Sequence, residues 1–210
     1  MATTVEQCLT RAMRMNGTKA EGEAMTAAEA DDGLLVFNQT VRGMFGRIIG
    51  VKLETYAGST TTARHGAMYE VGGAAYTLTA PANPRDGWRW GWADRGSLAT
   101  NNLTVNPNSQ KIDAGTANLT INTLNDNRVY WFRGDTGNWE KERDLLLTDN
   151  AYFPDEMVGY LTAIVAQALC TEYGRDPSEV VKALANAGLD AFKERYGRRG
   201  MPRAASPAAA

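Results

Sequence analysis

The sequence has few of the residues on which most active sites and small secreted folds depend. Among its 210 residues there is one histidine, His65, and there are two cysteines, Cys8 and Cys170. A single imidazole excludes a centre with several histidine ligands, and two thiols exclude a disulfide framework or a tetrathiolate zinc site. No stretch approaches the ~18 apolar residues of a membrane span, and Met1–Gly17 lacks the apolar core of a secretory signal. We therefore expect a protein that stays in the cytosol or is built into an assembly formed there.

Motifs for common chemistries are missing as well. The chain has no Walker-type phosphate loop, no Gly-x-Gly-x-x-Gly after a strand and no Gly-x-Ser-x-Gly elbow. Cys8 and Cys170 fall on the apolar sides of predicted helices, so we expect buried, unreactive thiols. His65 stands in a polar segment with no nucleophile or carboxylate beside it, which is typical of a solvated loop histidine. We predict no catalytic residue, no metal and no cofactor, and the pattern favours a binding or structural protein.

The balance of charge excludes a basic nucleic-acid-binding protein. The chain has 22 Lys and Arg against 24 Asp and Glu, so the molecule as a whole carries no excess of positive charge.

The composition changes twice along the chain, which indicates its domains. Residues 1–50 and 148–197 have helical patterns, whereas residues 51–147 have short β-prone runs. We predict a discontinuous helical domain, 1–50 with 148–197, an inserted β-domain, 51–147, and a flexible C-terminal arm, 198–210.

The first block predicts two helices. The first ends at Asn16-Gly17, and Thr26 and Glu29 have the capping-box spacing that starts the second, which ends at Gly50. The apolar face of the first helix is Val5, Leu9, Ala12 and Met13. The apolar stripe of the second is Leu34, Phe37, Val41, Phe45 and Ile48. Glycines in the second helix weaken it, so either tertiary packing makes up the loss or the glycines let another helix approach closely.

The last block predicts an antiparallel helical hairpin. Pro154 stands at the first helical position before two acids, and Tyr173-Gly174 ends that helix. Asp176 is the predicted N-cap of the next helix, after a short connection. The apolar face of the first helix is Val158, Leu161, Ile164, Val165, Ala168 and Leu169. The packing stripe of the second is Val181, Leu184, Gly188 and Phe192.

The middle block predicts a small antiparallel sandwich or barrel. Its β-prone runs are separated by turn chemistry at roughly 10- to 15-residue spacing, which is typical of such folds. The runs are 77–79, 103–105, 119–121 and 129–132. The turns are 84–87, 106–108, 113–115, 125–127 and 134–137.

The segment Trp88-Arg89-Trp90-Gly91-Trp92 is the most distinctive part of that block. In a strand the three indoles would share one side, with Arg89 on the other. They would then form either an aromatic surface for a sugar ring or base, or the bulky core of a small β-domain. The core interpretation is favoured, and Trp88, Trp90 and Trp92 remain a candidate surface.

The C-terminus changes character after the predicted hairpin. Lys193, Arg195, Arg198, Arg199 and Arg203 outnumber the nearby acids, and an Ala- and Pro-rich end follows. Such a tail has little to bury, so it is either a docking arm that orders on a partner or a solvated helix end.

The two ends of the chain resemble a known family. The stretches Tyr152-Phe153-Pro154-Asp155-Glu156, Glu172-Tyr173-Gly174 and Asp176-Pro177-Ser178 resemble the closing hairpin of the head-to-tail adaptor proteins of tailed bacteriophages. The N-terminal block resembles the first two helices of that family more loosely. The middle departs from the family's short hairpin. Residues 76–84, 92–94, 101–105 and 131–133 are instead similar to small β-modules of phage tail and fibre proteins.

This resemblance implies a role in the virion. Adaptors bind beneath the portal ring, usually as twelve copies, extend the DNA channel and provide a docking surface for tail components. It implies a homo-oligomer that contacts the portal protein, tail nozzle or stopper proteins and, through the β-domain, a tail fibre, with dsDNA passing non-specifically and no membrane involved. The implied portal-docking arm comprises Lys193, Arg195, Tyr196, Arg198, Arg199, Met201 and Arg203.

The fold class expected on these grounds is α+β. It consists of a four-helix adaptor bundle with an inserted antiparallel β-sandwich or barrel-like domain. The function expected is that of a virion structural protein without enzymatic activity. Two alternatives stay open: a carbohydrate-binding module that uses the tryptophans, and a cell-wall hydrolase joined to a binding module.

Overall fold

The computed structural model describes residues 3–47, 54–57 and 61–196. These divide into two compact units, a helical unit of residues 3–47 and 144–196 and a β unit of residues 54–57 and 61–143. The chain returns to the helical unit at 143/144, where the sequence predicted 147/148. The predicted arm, 198–210, lies outside the described residues.

Four helices form the helical unit, as predicted. They are α1 (Val5–Met15), α2 (Ala27–Arg47), α3 (Asp155–Glu172) and α4 (Glu179–Tyr196). Thr4 caps α1 in a reciprocal capping box with Gln7. The predicted box at the start of α2 is confirmed, because the Thr26 backbone N–H donates to Glu29 Oε2 at 2.8 Å.

The second pair of helices begins slightly later than the sequence indicated. Pro154 is the N-cap of α3 and not its first helical residue. Ser178, not Asp176, caps α4, because its Oγ accepts a hydrogen bond from the Val181 N–H at 3.3 Å. The predicted antiparallel hairpin is confirmed, since Glu156 near the start of α3 pairs with Arg195 near the end of α4.

Helix α3 is the centre of the helical unit. It contacts α1, α2 and α4, and ten of its 18 residues are buried. Gly33 on α2 permits a close approach to α1, because a Cβ there would lie 3.0 Å from Met13 Cε and 3.3 Å from Leu9 Cδ2. The expectation that a glycine of α2 admits another helix is therefore correct at Gly33. Gly43 has open space around its Cβ position.

The β unit contains ten strands. They are β1 (Glu54–Ala57), β2 (Thr61–Thr62), β3 (Ala67–Val71), β4 (Tyr76–Thr79), β5 (Arg89–Asp94), β6 (Leu103–Asn106), β7 (Lys111–Ile112), β8 (Leu119–Ile121), β9 (Arg128–Arg133) and β10 (Asn138–Lys141). The four predicted β-prone runs fall within β4, β6, β8 and β9.

These strands form two mixed sheets, of order β1-β3-β5-β9-β10-β7 and β2-β4-β6-β8. From β1 to β6 the chain alternates between the sheets, and each new strand pairs in parallel with the strand one coil earlier. Strands β8 and β9 then run antiparallel to β6 and β5. The result is a β-solenoid of about three turns.

The predicted fold class is therefore wrong. The structure combines four helices with a β-solenoid, and it is not an adaptor bundle with an antiparallel sandwich or barrel. The physical reason lies in the connections. Parallel strands need a crossover, and here the strand of the opposite sheet provides it. Residue 54 pairs with 67 and residue 67 with 90, so the coils differ in length and leave no repeat in the sequence.

Turn chemistry was the more reliable signal in this unit. Asn108, Asp113, Ala114 and Asn125 have positive φ, as do Gly87 and Gly137. Asn, Asp and Gly tolerate this left-handed backbone best. All six lie in turns that the sequence predicted. Five further residues of this unit with positive φ lie outside the predicted turns: Gly66, Gly72, Asn83, Gly96 and Ser109.

Candidate docking surfaces of the helical unit

The predicted docking residues Lys193, Arg195 and Tyr196 belong to the last turn of α4. Tyr196 is fully buried, and its ring lies 5.8 Å from that of Phe153 and 5.9 Å from that of Phe192. Phe153 also packs edge-on against Phe192, at 4.7 Å. Tyr196 therefore anchors α4 in the core and is not available as a contact for a partner, which corrects its assignment to the arm.

Lys193 and Arg195 lie at the surface of this turn. Lys193 Nζ pairs with Asp190 at 3.0 Å. Arg195 pairs with Glu156, and its guanidinium lies 5.5 Å from the centroid of the Tyr196 ring. Exposed pairs of this kind contribute little to stability. The other predicted arm residues, Arg198, Arg199, Met201 and Arg203, lie outside the described residues.

An apolar groove of about 760 Å³ runs between α2, α3 and α4. Its apolar lining comes from Val36 and Met44 on α2, Ile164 and Ala168 on α3, and Leu189 on α4. We call this the α2–α3–α4 groove. Gly43 also lines it, and a side chain at that position would project into open space.

The two ends of the groove carry opposite charge. Glu172 lies at the end where α3 stops, and Lys193 lies on α4 at the other end. The groove is therefore acidic at the end of α3 and basic at the end of α4.

A second apolar surface follows α4 on its solvent side. Val180 is 68% exposed and Leu184 is 45% exposed, and Ala187 is exposed one turn further on. Residues at this spacing share one helix face. We call Val180, Leu184 and Ala187 the α4 ridge. The prediction that Leu184 packs in the core is therefore wrong, because Leu184 is exposed. Ala185, the next residue, is fully buried in the core instead.

The predicted tryptophan surface is not present in the β unit. Trp90 and Trp92 are fully buried, with the Trp92 ring 5.5 Å from that of Tyr130 and the Trp90 ring 5.9 Å from that of Trp139. Trp88 is only partly buried and precedes β5. The favoured interpretation, a bulky aromatic core, is therefore the one that the structure shows for Trp90 and Trp92.

His65 is not the solvated loop residue that the sequence predicted. Only 8% of it is exposed, and its ring stacks on the Trp88 indole with centroids 5.4 Å apart. Its Nδ1 accepts a hydrogen bond from the Arg89 backbone N–H at 2.9 Å. Burial and the charge of Arg89 lower the pKa of His65 to about 4, so the imidazole is neutral at physiological pH.

The cysteines are buried, as predicted. Cys8 Sγ lies 3.2 Å from Thr162 Oγ1, and burial raises the pKa of this thiol to about 11. Within residues 3–47, 54–57 and 61–196, no three His, Cys, Asp or Glu side chains are grouped to hold a metal ion. None of the helices described combines the length and apolar character that crossing a membrane requires.

Both surfaces of the helical unit escaped the sequence analysis. The groove is formed by α2, α3 and α4 together, and the β unit separates α2 from α3 in the sequence. No local sequence pattern therefore predicts it. The α4 ridge left a signal, because Val180, Leu184 and Ala187 form a second apolar face beside the core stripe. That signal was missed because Leu184 was assigned to the core.

Comparison with known proteins adds little to this picture. No protein-family model and no curated protein matches the chain. A solved structure described as "Structure of a chaperone-substrate complex" has 12% sequence identity and a TM-score of 0.29, over 42% of this chain and 14% of that chain. The chain thus spans a small part of that protein's length, and a likeness this slight indicates neither a shared fold nor a shared function.

Proposed function

We propose that this chain is a structural protein of a phage virion, a head-to-tail adaptor that binds the portal ring. Copies of it assemble as a ring, extend the DNA channel and offer a surface to tail nozzle or stopper proteins. The site of action is the head–tail interface of the virion. The proposal rests first on the resemblance of residues 152–178 to the closing hairpin of adaptors.

The observation that carries the proposal is the way in which α4 ends. Tyr196 fixes the last turn in the aromatic cluster with Phe153 and Phe192, while Lys193 and Arg195 are at the surface. Residues 197–210 follow directly, with three arginines and no acidic side chain. A basic segment that follows the buried Tyr196 could bind an acidic surface on each portal subunit. Each contact would be weak, but a ring of copies makes many of them at once.

The β unit has a separate place in this proposal. A β-solenoid inserted between α2 and α3 leaves the helical hairpin intact, so the insertion adds a module without replacing the docking end. We assign the β unit to contacts with tail or fibre proteins on the outside of the ring. Passage of dsDNA through the ring would be independent of sequence and sensitive to salt.

Native mass tests the proposal. Light scattering measures the mass of this protein alone, of the cognate portal ring alone and of the mixture. We expect a gain close to twelve copies of the 22.8 kDa chain on each portal ring. A portal mass that stays unchanged across the salt range contradicts the adaptor function.

Two variants locate the docking segment. Truncation after Gly197 removes the basic segment but keeps the Tyr196 anchor, and the triple change of Arg198, Arg199 and Arg203 to Glu reverses its charge. Both should abolish the mass gain. The matched control is the triple charge reversal of Arg11, Arg14 and Lys111, which are exposed residues elsewhere, and it should retain binding. Equal binding by all variants would contradict the docking role of the segment.

A further inference from the structure

The α2–α3–α4 groove and the α4 ridge lie on opposite sides of the same helix. At ~100° per residue, Val180, Leu184 and Ala187 project away from the side of α4 that carries Leu189 and Lys193. Leu189 and Lys193 line the groove. One helical unit therefore has an apolar groove and an exposed apolar ridge that face different directions.

We propose that the α4 ridge of one copy of this chain packs into the α2–α3–α4 groove of the next copy. Ridges of helix side chains seat in grooves between side chains of other helices in the same way within proteins. The two surfaces differ, so the contact is head-to-tail and repeats from copy to copy, which generates a ring if the rotation closes.

Charge selects the direction in which the ridge enters. The groove is acidic at Glu172 and basic at Lys193. The ridge is flanked by Glu179 at its start and, two turns beyond Ala187, by Arg195, both at the surface. Within the chain Glu179 pairs with Lys182 and Arg195 with Glu156, and exposed Glu194 precedes Arg195. In one orientation, Arg195 of the ridge lies at the Glu172 end of the neighbour's groove and Glu179 lies at its Lys193 end. In the reverse orientation like charges would face each other, which is unfavourable.

The same orientation brings Val180 of one copy close to Gly43 of the next. Phe45 on α2 packs against Phe153, which packs against Phe192 on α4, so Gly43 lies towards the Lys193 end of the groove. Val180 at the start of the ridge would then lie beside Gly43 of the neighbouring copy. This inference rests on the proposed function for its setting, because a ring subunit needs two complementary surfaces, but its test does not require the portal.

Disulfide trapping tests the contact in the isolated full-length protein. Val180→Cys and Gly43→Cys are placed in separate chains, mixed and oxidised, and then combined in one chain. The native thiols of Cys8 and Cys170 are buried and give little background. The mixture should form a covalent dimer, and the doubly substituted chain should form a ladder of higher oligomers, since each copy has one ridge and one groove.

Matched variants separate this contact from random collision. Leu124→Cys replaces Val180→Cys in the control, because Leu124 is 50% exposed in the β unit. We expect roughly tenfold more trapped dimer from Val180→Cys with Gly43→Cys than from the control pair, and a similar loss when Leu184→Glu is added to the ridge. Thermal melting of each variant confirms that it is folded.

Trapping no greater than in the control pair, or trapping unaffected by Leu184→Glu, overturns the proposal. A dimer formed by Val180→Cys chains alone at the level of the mixture also overturns it, because it would indicate a symmetric contact. The adaptor function fails separately. If the doubly substituted chain forms the ladder but the wild-type chain adds no mass to the portal, that function is refuted, whereas mass gain by the wild-type chain without a ladder from the doubly substituted chain refutes this contact.

Discussion

The imidazole of His65 is held by the backbone of Arg89, whose N–H donates to His65 Nδ1 at 2.9 Å. The acceptor nitrogen must be unprotonated for this bond to exist. The bond links the segment before β3 to the start of β5, so it joins successive coils of the solenoid. Protonation of one buried ring therefore opposes the stacking of the β unit.

A first prediction is that the β unit loses stability in mild acid. Burial, with the nearby Arg89 charge, lowers the pKa of His65 to about 4 from 6.5. The unfolded chain thus binds the proton between these values and the folded chain does not. The free energy of unfolding should fall as the pH drops from 6.5 towards 4, by up to about 3 kcal/mol.

Urea unfolding followed by tryptophan fluorescence measures this effect, because all five tryptophans lie in the β unit. His65→Gln is the control, since its side chain does not titrate. The variant should lose this part of the pH dependence even if it is less stable throughout. The same slope in both proteins would show that His65 is not the group responsible.

A second prediction concerns the close pairing of β5 with β9. A Cβ on Gly91 would lie 2.3 Å from the backbone oxygen of Arg128, so Gly91→Ala must displace a strand. We expect a loss of about 3 kcal/mol from the free energy of unfolding of the β unit. Gly73→Ala is the matched control, because its Cβ position has no neighbour within 4 Å. Equal stability of the two variants would contradict the close pairing.

A third prediction distinguishes two glycines of the helical hairpin. A Cβ on Gly188 of α4 would lie 3.0 Å from the backbone oxygen of Tyr160, whereas a Cβ on Gly159 of α3 would have open space. Alanine favours a helix over glycine by about 1 kcal/mol. Gly159→Ala should therefore raise the unfolding temperature and Gly188→Ala should lower it, as measured by circular dichroism at 222 nm. Stabilisation by both changes would show that α3 and α4 are not in close contact there.

A fourth prediction concerns the end of α4. Tyr196→Ala removes a fully buried ring from the cluster with Phe153 and Phe192, which should cost the helical unit about 3 kcal/mol. Tyr196→Phe retains the packing and should be close to wild type. A truncation before Tyr196 should destabilise the helical unit, and a truncation after Gly197 should not. Tyr196→Ala with wild-type stability would show that the anchor is unimportant.

The helices could be predicted from the sequence because their signals are local. Thr26 and Glu29 are three residues apart, and Gly174 follows the last turn of α3. Even there the exact cap shifted, since Ser178 competes with Asp176 for the start of α4. Both Asp and Ser can cap a helix, and Ser178 is the cap here because its Oγ accepts the hydrogen bond from the Val181 N–H.

The solenoid could not be predicted because its pairings are not local. Tyr76 pairs with Leu103, 27 residues later, whereas Thr61 pairs with Leu78, only 17 residues later. Coils of unequal length conceal the repeat, and runs such as Leu103–Asn106 look the same in parallel and antiparallel sheets. His65 was misjudged for a similar reason, because Trp88 and Arg89, which enclose it, belong to the next coil.

The central position of α3 has a consequence for synthesis of the chain. Helices α1 and α2 leave the ribosome first, but the helix against which both pack begins at Asp155, after the whole β unit has emerged. The solenoid is complete by Lys141 and needs nothing that follows it in order to pair its strands. During translation the β unit can therefore fold while those parts of α1 and α2 that α3 covers in the folded protein are still exposed. Exposed apolar surface of this kind makes a nascent chain prone to aggregate or to bind a chaperone.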